Sequence, residues 1–192
     1  MKVVAFNGSP RREGNTFLLL RTVLEEVEKA GATTEVVQLA GRNLRGCTAC
    51  GKCKQNKDRR CSVTQDDLNA CLEKMLAADA ILLGSPVYFT DLTPSMKALI
   101  DRAGYVSRAN GDLFRRKVGA AVVAARRAGA IRTFDTLNHF FLVGQMIVPG
   151  SSYWNVGIGR EIGDVLQDAE GIETMRTLGR NIAWLLERLA KE

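Results

Sequence analysis

The feature that most constrains this chain is a repeated alternation of short apolar runs with amphipathic helical patterns. Residues 2–6, 35–39, 79–84, 117–124 and 145–149 are brief, rich in Val, Ile, Leu and Ala, and show no polar alternation. Runs of that kind read as strands buried on both faces. Between them, Leu20, Val23, Leu24 and Val27 recur at helical spacing, with Asn15 or Thr16 as the cap and Gly31 as the stop. Leu68, Leu72, Met75 and Leu76 make a second helix, 93–107 and 131–143 supply two more, and the apolar series from Ile172 to Leu189 closes the chain, with Gly179 as its weak point. Strands alternating with helices predict a parallel sheet covered on both faces. With five strands the order 2-1-3-4-5 comes first and a Rossmann order second. At 192 residues and 46% hydrophobic content the chain reads as one domain over 1–192, with long irregular stretches at 41–65 and 150–168.

The loops carry the chemistry. Directly after the first strand, Asn7-Gly8-Ser9-Pro10-Arg11-Arg12-Glu13-Gly14-Asn15-Thr16 leads into a helix. Free backbone N–H groups and the positive helix end converge there on an anion. Ser9, Asn15 and Thr16 can add hydroxyl or amide donors, and Arg11 or Arg12 a full charge. The loop has neither the Gly-Lys-Ser/Thr of a nucleoside-triphosphate loop nor the Gly-x-Gly-x-x-Gly of a dinucleotide fold. A capped helix after a turn is the plainer reading of the same residues. The third strand ends in Gly84-Ser85-Pro86-Val87-Tyr88-Phe89-Thr90-Asp91. In the order 2-1-3-4-5 these two loops border one crevice, where Tyr88 and Phe89 could flank a flat ring. The fourth strand ends in Ala124-Ala125-Arg126-Arg127-Ala128-Gly129, a loop able to close the site or receive a second substrate's phosphates.

The net charge of +6 is concentrated rather than spread. Residues 42–60 hold seven basic side chains against Asp58 alone, which accounts for the whole excess. The same stretch begins the spacing Cys47-x2-Cys50-x2-Cys53-x7-Cys61. Three thiols at three-residue intervals and a fourth further on match the wrapping of an iron–sulfur cluster, and Gly46 and Gly51 help such a loop turn. Structural zinc more often uses two separated Cys-x2-Cys knuckles, and a disulfide framework is disfavoured in a cytosolic chain. A cluster on four thiolates is an anion, which nearby cations suit; a solvated basic surface is the plainer alternative. Cys71 sits among apolar residues of its helix and reads as a buried structural thiol, and the single histidine, His139, takes no catalytic role. Tyr153 and Trp154 could cover a ligand, form a subunit contact or pack in the core.

The Gly8-to-Thr16 loop, the Gly84-to-Phe89 run and the helix Lys97-Ala98-Leu99-Ile100-Asp101-Arg102 together resemble the NADPH-dependent FMN reductase-like branch of the flavodoxin superfamily. The likeness covers nearly the whole chain, and the cysteine pattern points within it to the iron–sulfur flavoproteins. It implies an α/β, flavodoxin-like three-layer sandwich with a cysteine-rich insert after the second strand. It implies noncovalent FMN, with Ser9, Arg11, Gly14, Asn15 and Thr16 around the phosphate, Pro86, Val87, Tyr88 and Phe89 at the isoalloxazine, and Arg126 beside it. Cys47, Cys50, Cys53 and Cys61 would hold a 4Fe-4S cluster. The chain is then expected to be an oxidoreductase in which cofactors carry the chemistry, with NAD(P)H or a ferredoxin-like protein as donor. An NAD(P)H-dependent FMN or quinone reductase without a cluster and a non-enzymatic electron carrier are the alternatives. A homodimer or homotetramer is expected, in the cytoplasm, with no nucleic acid and no membrane span.

Overall fold

The computed structural model describes residues 1–190. Five parallel strands, β1 (Lys2–Asn7), β2 (Thr33–Gln38), β3 (Ala80–Pro86), β4 (Val118–Ala125) and β5 (Val156–Ile158), form one sheet in the order β2-β1-β3-β4-β5. The helices are α1 (Asn15–Lys29), a short α2 (Lys52–Asn56), α3 (Leu68–Ala77), α4 (Pro94–Ala109), α5 (Ala130–Val143) and α6 (Ala169–Leu189). Side chains on a strand point to opposite faces in turn, so each strand feeds two cores. Val3 and Ala5 of β1 join Leu20, Val23 and Leu24 of α1 and Met175, Leu178 and Ile182 of α6 on one face. Val4 and Phe6 join Leu72 and Met75 of α3, Leu99 and Ala103 of α4 and Leu137 and Phe141 of α5 on the other. This is the three-layer sandwich expected from the alternation.

The fifth strand is a correction. The run 145–149 does not form it. Ile147 pairs with the start of β4 through a single bridge, its N–H donating to the Lys117 carbonyl and its carbonyl accepting from Gly119, both at 2.9 Å. Pro149, lacking an N–H, cannot continue that ladder, and the chain leaves the sheet. It returns at Val156–Ile158, which pairs with Val123–Ala125 further along the same edge. Asn155, buried, spans the gap: its Nδ2 donates to the Ala121 carbonyl at 2.9 Å, and its own carbonyl accepts from Val123 N–H at 2.9 Å. The apolar period alone could not show that this edge is shared by two short pieces.

Gly179 is likewise no weak point. It is where α6 lies against α1, and a Cβ there would sit 2.5 Å from the Val23 carbonyl oxygen. In an ordinary helix Gly to Ala gains about 1 kcal/mol. Here the backbone contact leaves no room, and Gly179→Ala is expected to destabilise by about 1–3 kcal/mol, as overpacking does. Thermal unfolding of the variant checks this; a raised midpoint would show that the two helices can separate at no cost.

Candidate functional site

The cleft lies at the carboxyl edge of the sheet, between β1 and β3. Asn7 ends β1 fully buried and sets the loop that follows. Its Oδ1 accepts from Ser9 N–H at 3.0 Å, and its Nδ2 donates to Gln38 Oε1 at 2.7 Å and to the Arg12 carbonyl at 3.2 Å. Gln38 Nε2 in turn donates to the Ser9 carbonyl at 2.6 Å. The loop is thus tied to the carboxyl ends of both β1 and β2. Gly8 N–H donates to the Gly84 carbonyl at 2.8 Å, and Thr93 Oγ1 donates to the Gly8 carbonyl at 2.9 Å, which fixes the loop to the segment after β3.

Of the residues singled out in the sequence, Ser9, Arg11, Asn15, Thr16, Pro86, Val87, Tyr88 and Arg126 line this one cleft. Two of them behave differently from the expectation. Asn15 does not cap α1: the cap is Gly14, with extended backbone, and the Asn15 amide is spent on a facing loop. Its Nδ2 donates to the Glu161 carbonyl and its Oδ1 accepts from Gly163 N–H, both at 2.9 Å. Thr16 is the opposite case. It is 1% exposed, it lines the cleft, and its hydroxyl has no hydrogen-bond partner among the described residues. A buried hydroxyl left unpaired at a helix N-terminus is free to donate to a group in the cleft. Gly14 shapes the loop without lining the cleft, since a Cβ there would lie 2.8 Å from Arg11 Cβ.

Phe89 is outside the cleft, fully exposed on the turn after Tyr88. Tyr88 and Asp91 exchange backbone hydrogen bonds of 2.7 and 3.0 Å, so Phe89 and Thr90 form a two-residue turn with φ of 46° and 65°. Both values lie in the left-handed region that a β-branched residue such as Thr rarely adopts. Tyr153 and Trp154 pack on each other, 4.6 Å between ring centroids, both exposed and lining a groove against α5 rather than this cleft. Sequence reasoning missed Gly159 and Arg160, which form the far wall. Gly159 N–H extends the β4 edge by donating to the Ala125 carbonyl at 2.9 Å. Placing β5 correctly would have put both at the sheet's carboxyl edge. With Arg160 the lining holds three arginines, Arg11, Arg126 and Arg160, and no acidic side chain, which suits a dianionic ligand.

The four cysteines of the insert line a second cavity of about 250 Å3, with Arg102, Tyr105 and Val106 of α4 as its floor. Cys53 and Cys61 are half-buried against the core, and Cys47 and Cys50 are exposed. Gly51, at φ 70°, supplies the turn between Cys50 and Cys53. Cys50 Sγ shares a hydrogen bond with Ser62 Oγ at 3.4 Å, and this contact, with the Lys52 backbone N–H, holds its thiol below the ordinary range. As the side chains stand, no three ligating groups among the described residues are close enough to hold one metal ion. The donor set is nonetheless chemically uniform: four sulfurs, with no carboxylate or imidazole in the lining. Arg102 lies eight residues beyond the start of α4 and Tyr105 eleven. At 1.5 Å per residue the cavity therefore sits about 12–16 Å down that helix from the edge where the cleft opens.

Strand order, crevice position and an arginine-walled loop at a helix N-terminus define a flavodoxin-like protein. Comparison with known proteins agrees and goes further. The model of the NADPH-dependent FMN reductase family matches residues 1–161. An iron-sulfur flavoprotein of Methanocaldococcus jannaschii is 39% identical over the full length of both chains, and one of Methanosarcina thermophila is 31% identical over 100% of this chain and 98% of that one. Among solved structures, RosB with a bound intermediate superposes with a TM-score of 0.80 at 19% identity, over 100% of this chain and 81% of that one. An NAD(P)H:quinone oxidoreductase from Methanothermobacter marburgensis gives 0.68 at 18% identity, over 95% and 96%. The chain belongs to the NADPH-dependent FMN reductase family, on the branch of the iron-sulfur flavoproteins, and is an FMN-dependent oxidoreductase. No helix among the described residues is long and apolar enough to cross a membrane.

Burial sorts the five thiols. Desolvation pushes the Cys71 thiol up to about 11, so at pH 8 it stays neutral and enclosed, whereas Cys47 and Cys50 are open. Alkylation of metal-free protein at pH 8 is expected to reach Cys50 and Cys47 first and Cys71 only on unfolding, as read by mass spectrometry. Labelling of Cys71 in folded protein at the rate of Cys47 would contradict this.

Proposed function

We propose that the arginine-walled cleft holds FMN, that Cys47, Cys50, Cys53 and Cys61 hold a 4Fe-4S cluster, and that the protein passes electrons between the two. One observation carries the cluster reading: four thiols and no other ligating side chain line a single cavity. For the flavin, the buried unpartnered Thr16 hydroxyl at the start of α1 supports the phosphate position. Ser9, Arg11, Thr16 and the loop N–H groups would bind the phosphate, with Asn15 bracing the facing loop and Gly14 giving the turn its shape. Pro86, Val87 and Tyr88 would lie along the ring, and Arg126 and Arg160 would close the charged end. When bound, FMN exchanges electrons in pairs or singly and the cluster one at a time. The chain's own side chains orient these groups and need supply no acid or nucleophile.

A ferredoxin-like or NAD(P)H donor fits this reading. The exposed basic residues around the thiol cavity, Lys52, Lys54, Lys57, Arg59 and Arg60, favour an acidic protein partner, whose electron-transfer rate would fall as salt rises. A rate independent of salt would remove that support. Exposed Tyr105 and Val143 line a groove between α4 and α5, which supports a homodimer or homotetramer through that face. A monomer in sedimentation would exclude it. The spread of the thiols supports a second reading, a flavin or quinone reductase without a cluster, in which steady-state NAD(P)H oxidation proceeds in iron-free protein.

Protein purified without oxygen is expected to hold about one FMN and about four each of iron and sulfide per chain. Flavin without iron, even after anaerobic reconstitution, would establish the second reading. Cys50→Ser is expected to abolish iron uptake and spare FMN. Thr16→Val removes an unpaired buried hydroxyl while keeping its shape. The FMN-free variant is expected to melt at the wild-type temperature or above it, and to bind FMN at least about tenfold more weakly, the effect of losing one hydrogen bond to a charged group. Unchanged FMN affinity would take Thr16 out of the site.

A further inference from the structure

One side chain ties both ends of the cysteine segment to the body of the protein. Arg102, on α4, has 2% of its side chain exposed and pairs with Asp66, whose side chain is fully buried. Its Nη2 donates to Cys61 Sγ at 3.2 Å, to Asp66 Oδ1 at 3.2 Å and to the Val63 carbonyl at 3.4 Å. Its Nη1 donates to the Arg45 carbonyl at 3.1 Å and to Asp66 Oδ2. These acceptors come from just before Cys47 and from Cys61 onward, so a planar guanidinium sets the two ends of the segment in one frame. Cys61 is held a second way, because Asn69 of α3, itself buried, accepts from Cys61 N–H at 2.8 Å and donates to its carbonyl at 2.9 Å. Six of the segment's seven own cations are exposed and screened by water, and Arg42 is half-buried. Arg102 lies outside that segment and is enclosed at the sulfur.

We propose that Arg102 is a positioning residue of the iron–sulfur site, aiming the Cys61 sulfur into the thiol-lined cavity and turning the positive end of the buried Arg102–Asp66 pair toward it, which favours the more negative, reduced form of a cluster. This rests on the cluster reading above. A buried Arg–Asp pair serving only the fold would place no donor on the sulfur and would leave a cluster's potential untouched.

Two variants test it. Arg102→Lys keeps the charge and an ion pair with Asp66 but gives up the planar set of donors. Arg102→Gln combined with Asp66→Asn removes both charges and keeps polar groups of similar size. FMN per chain reports folding, and a variant that takes up none is replaced by the other. Iron and sulfide report assembly, an anaerobic titration followed by EPR gives the cluster potential, and mass spectrometry follows Cys61 alkylation in iron-free protein. The double variant is expected to lose more than half its iron, or to keep it with the one-electron equilibrium shifted at least tenfold toward the oxidised form, about 59 mV. Both variants are expected to alkylate Cys61 about tenfold faster than wild type, with Cys47 unchanged. Wild-type iron, potential and Cys61 alkylation in the folded variants would overturn the inference. Wild-type protein that takes up no iron would instead overturn the cluster reading, and the alkylation of Cys61 would still decide whether Arg102 seats its sulfur.

Discussion

The parallel pairing of β1 with β3 is the interaction on which the arginine-walled cleft depends. Asn7 lies in register with Gly84, and the bond from Gly8 N–H to the Gly84 carbonyl carries the pairing one residue past the end of β1. Two loops far apart in sequence therefore leave the sheet side by side. Because β2 and β4 lie on the outer sides of this pair, the crossovers that follow β1 and β3 go to opposite faces, and a crevice opens between them. Gly84 must be bare for this to work, since a Cβ there would lie 2.7 Å from Leu20 Cδ1 on the helix that starts at the cleft. The close seating of α1 on the sheet brings its N-terminus, with Thr16, to the crevice.

Much of this was legible in the chain because it is local. Buried strands followed by small polar loops and helices are written in hydrophobic period and in glycine placement, and four strands and five helices follow from those signals. What was not legible depends on pairings across the fold. The run 145–149 is as apolar as a strand, yet only Ile147 bridges to β4, and the pairing β5 begins seven residues after the run ends, in a stretch that looks irregular. Misplacing it hid Arg160, whose position depends on where that strand ends. The donors of Asn15 were visible in the sequence, but their capture by the 161–163 loop was not, and nothing local shows that Tyr88 lines the cleft while Phe89 stands outside it.

The cysteine segment shows the same division. Its spacing and charge single it out in the sequence, and its emergence beyond β2 puts it at the sheet's carboxyl edge. Its path from there is set by α4, along which it descends until Arg59 N–H donates to Asn110 Oδ1 at 2.9 Å, at the helix's far end. Lys97 to Arg102 resembled a family helix with no assigned chemistry. Only the folded contacts show that its last residue reaches the cysteines, because Arg102 and Cys61 are 41 residues apart in the chain.

The divided edge of β4 has a consequence for how proteins of this shape can change length. Ile147 and Val156–Ile158 bond to separate portions of β4, and neither relies on the other for its register. The eight residues between them form an excursion that is exposed at Gly150 and over 152–154, held to the sheet at Asn155 and to α6 by the bond from Asn181 Nδ2 to the Gly150 carbonyl. Chain can be added at its exposed tip, over 152–154, without shifting a ladder bond or moving the cleft wall at Gly159 and Arg160. It is the place on this edge where an appended segment or a longer loop meets the least resistance from the sheet.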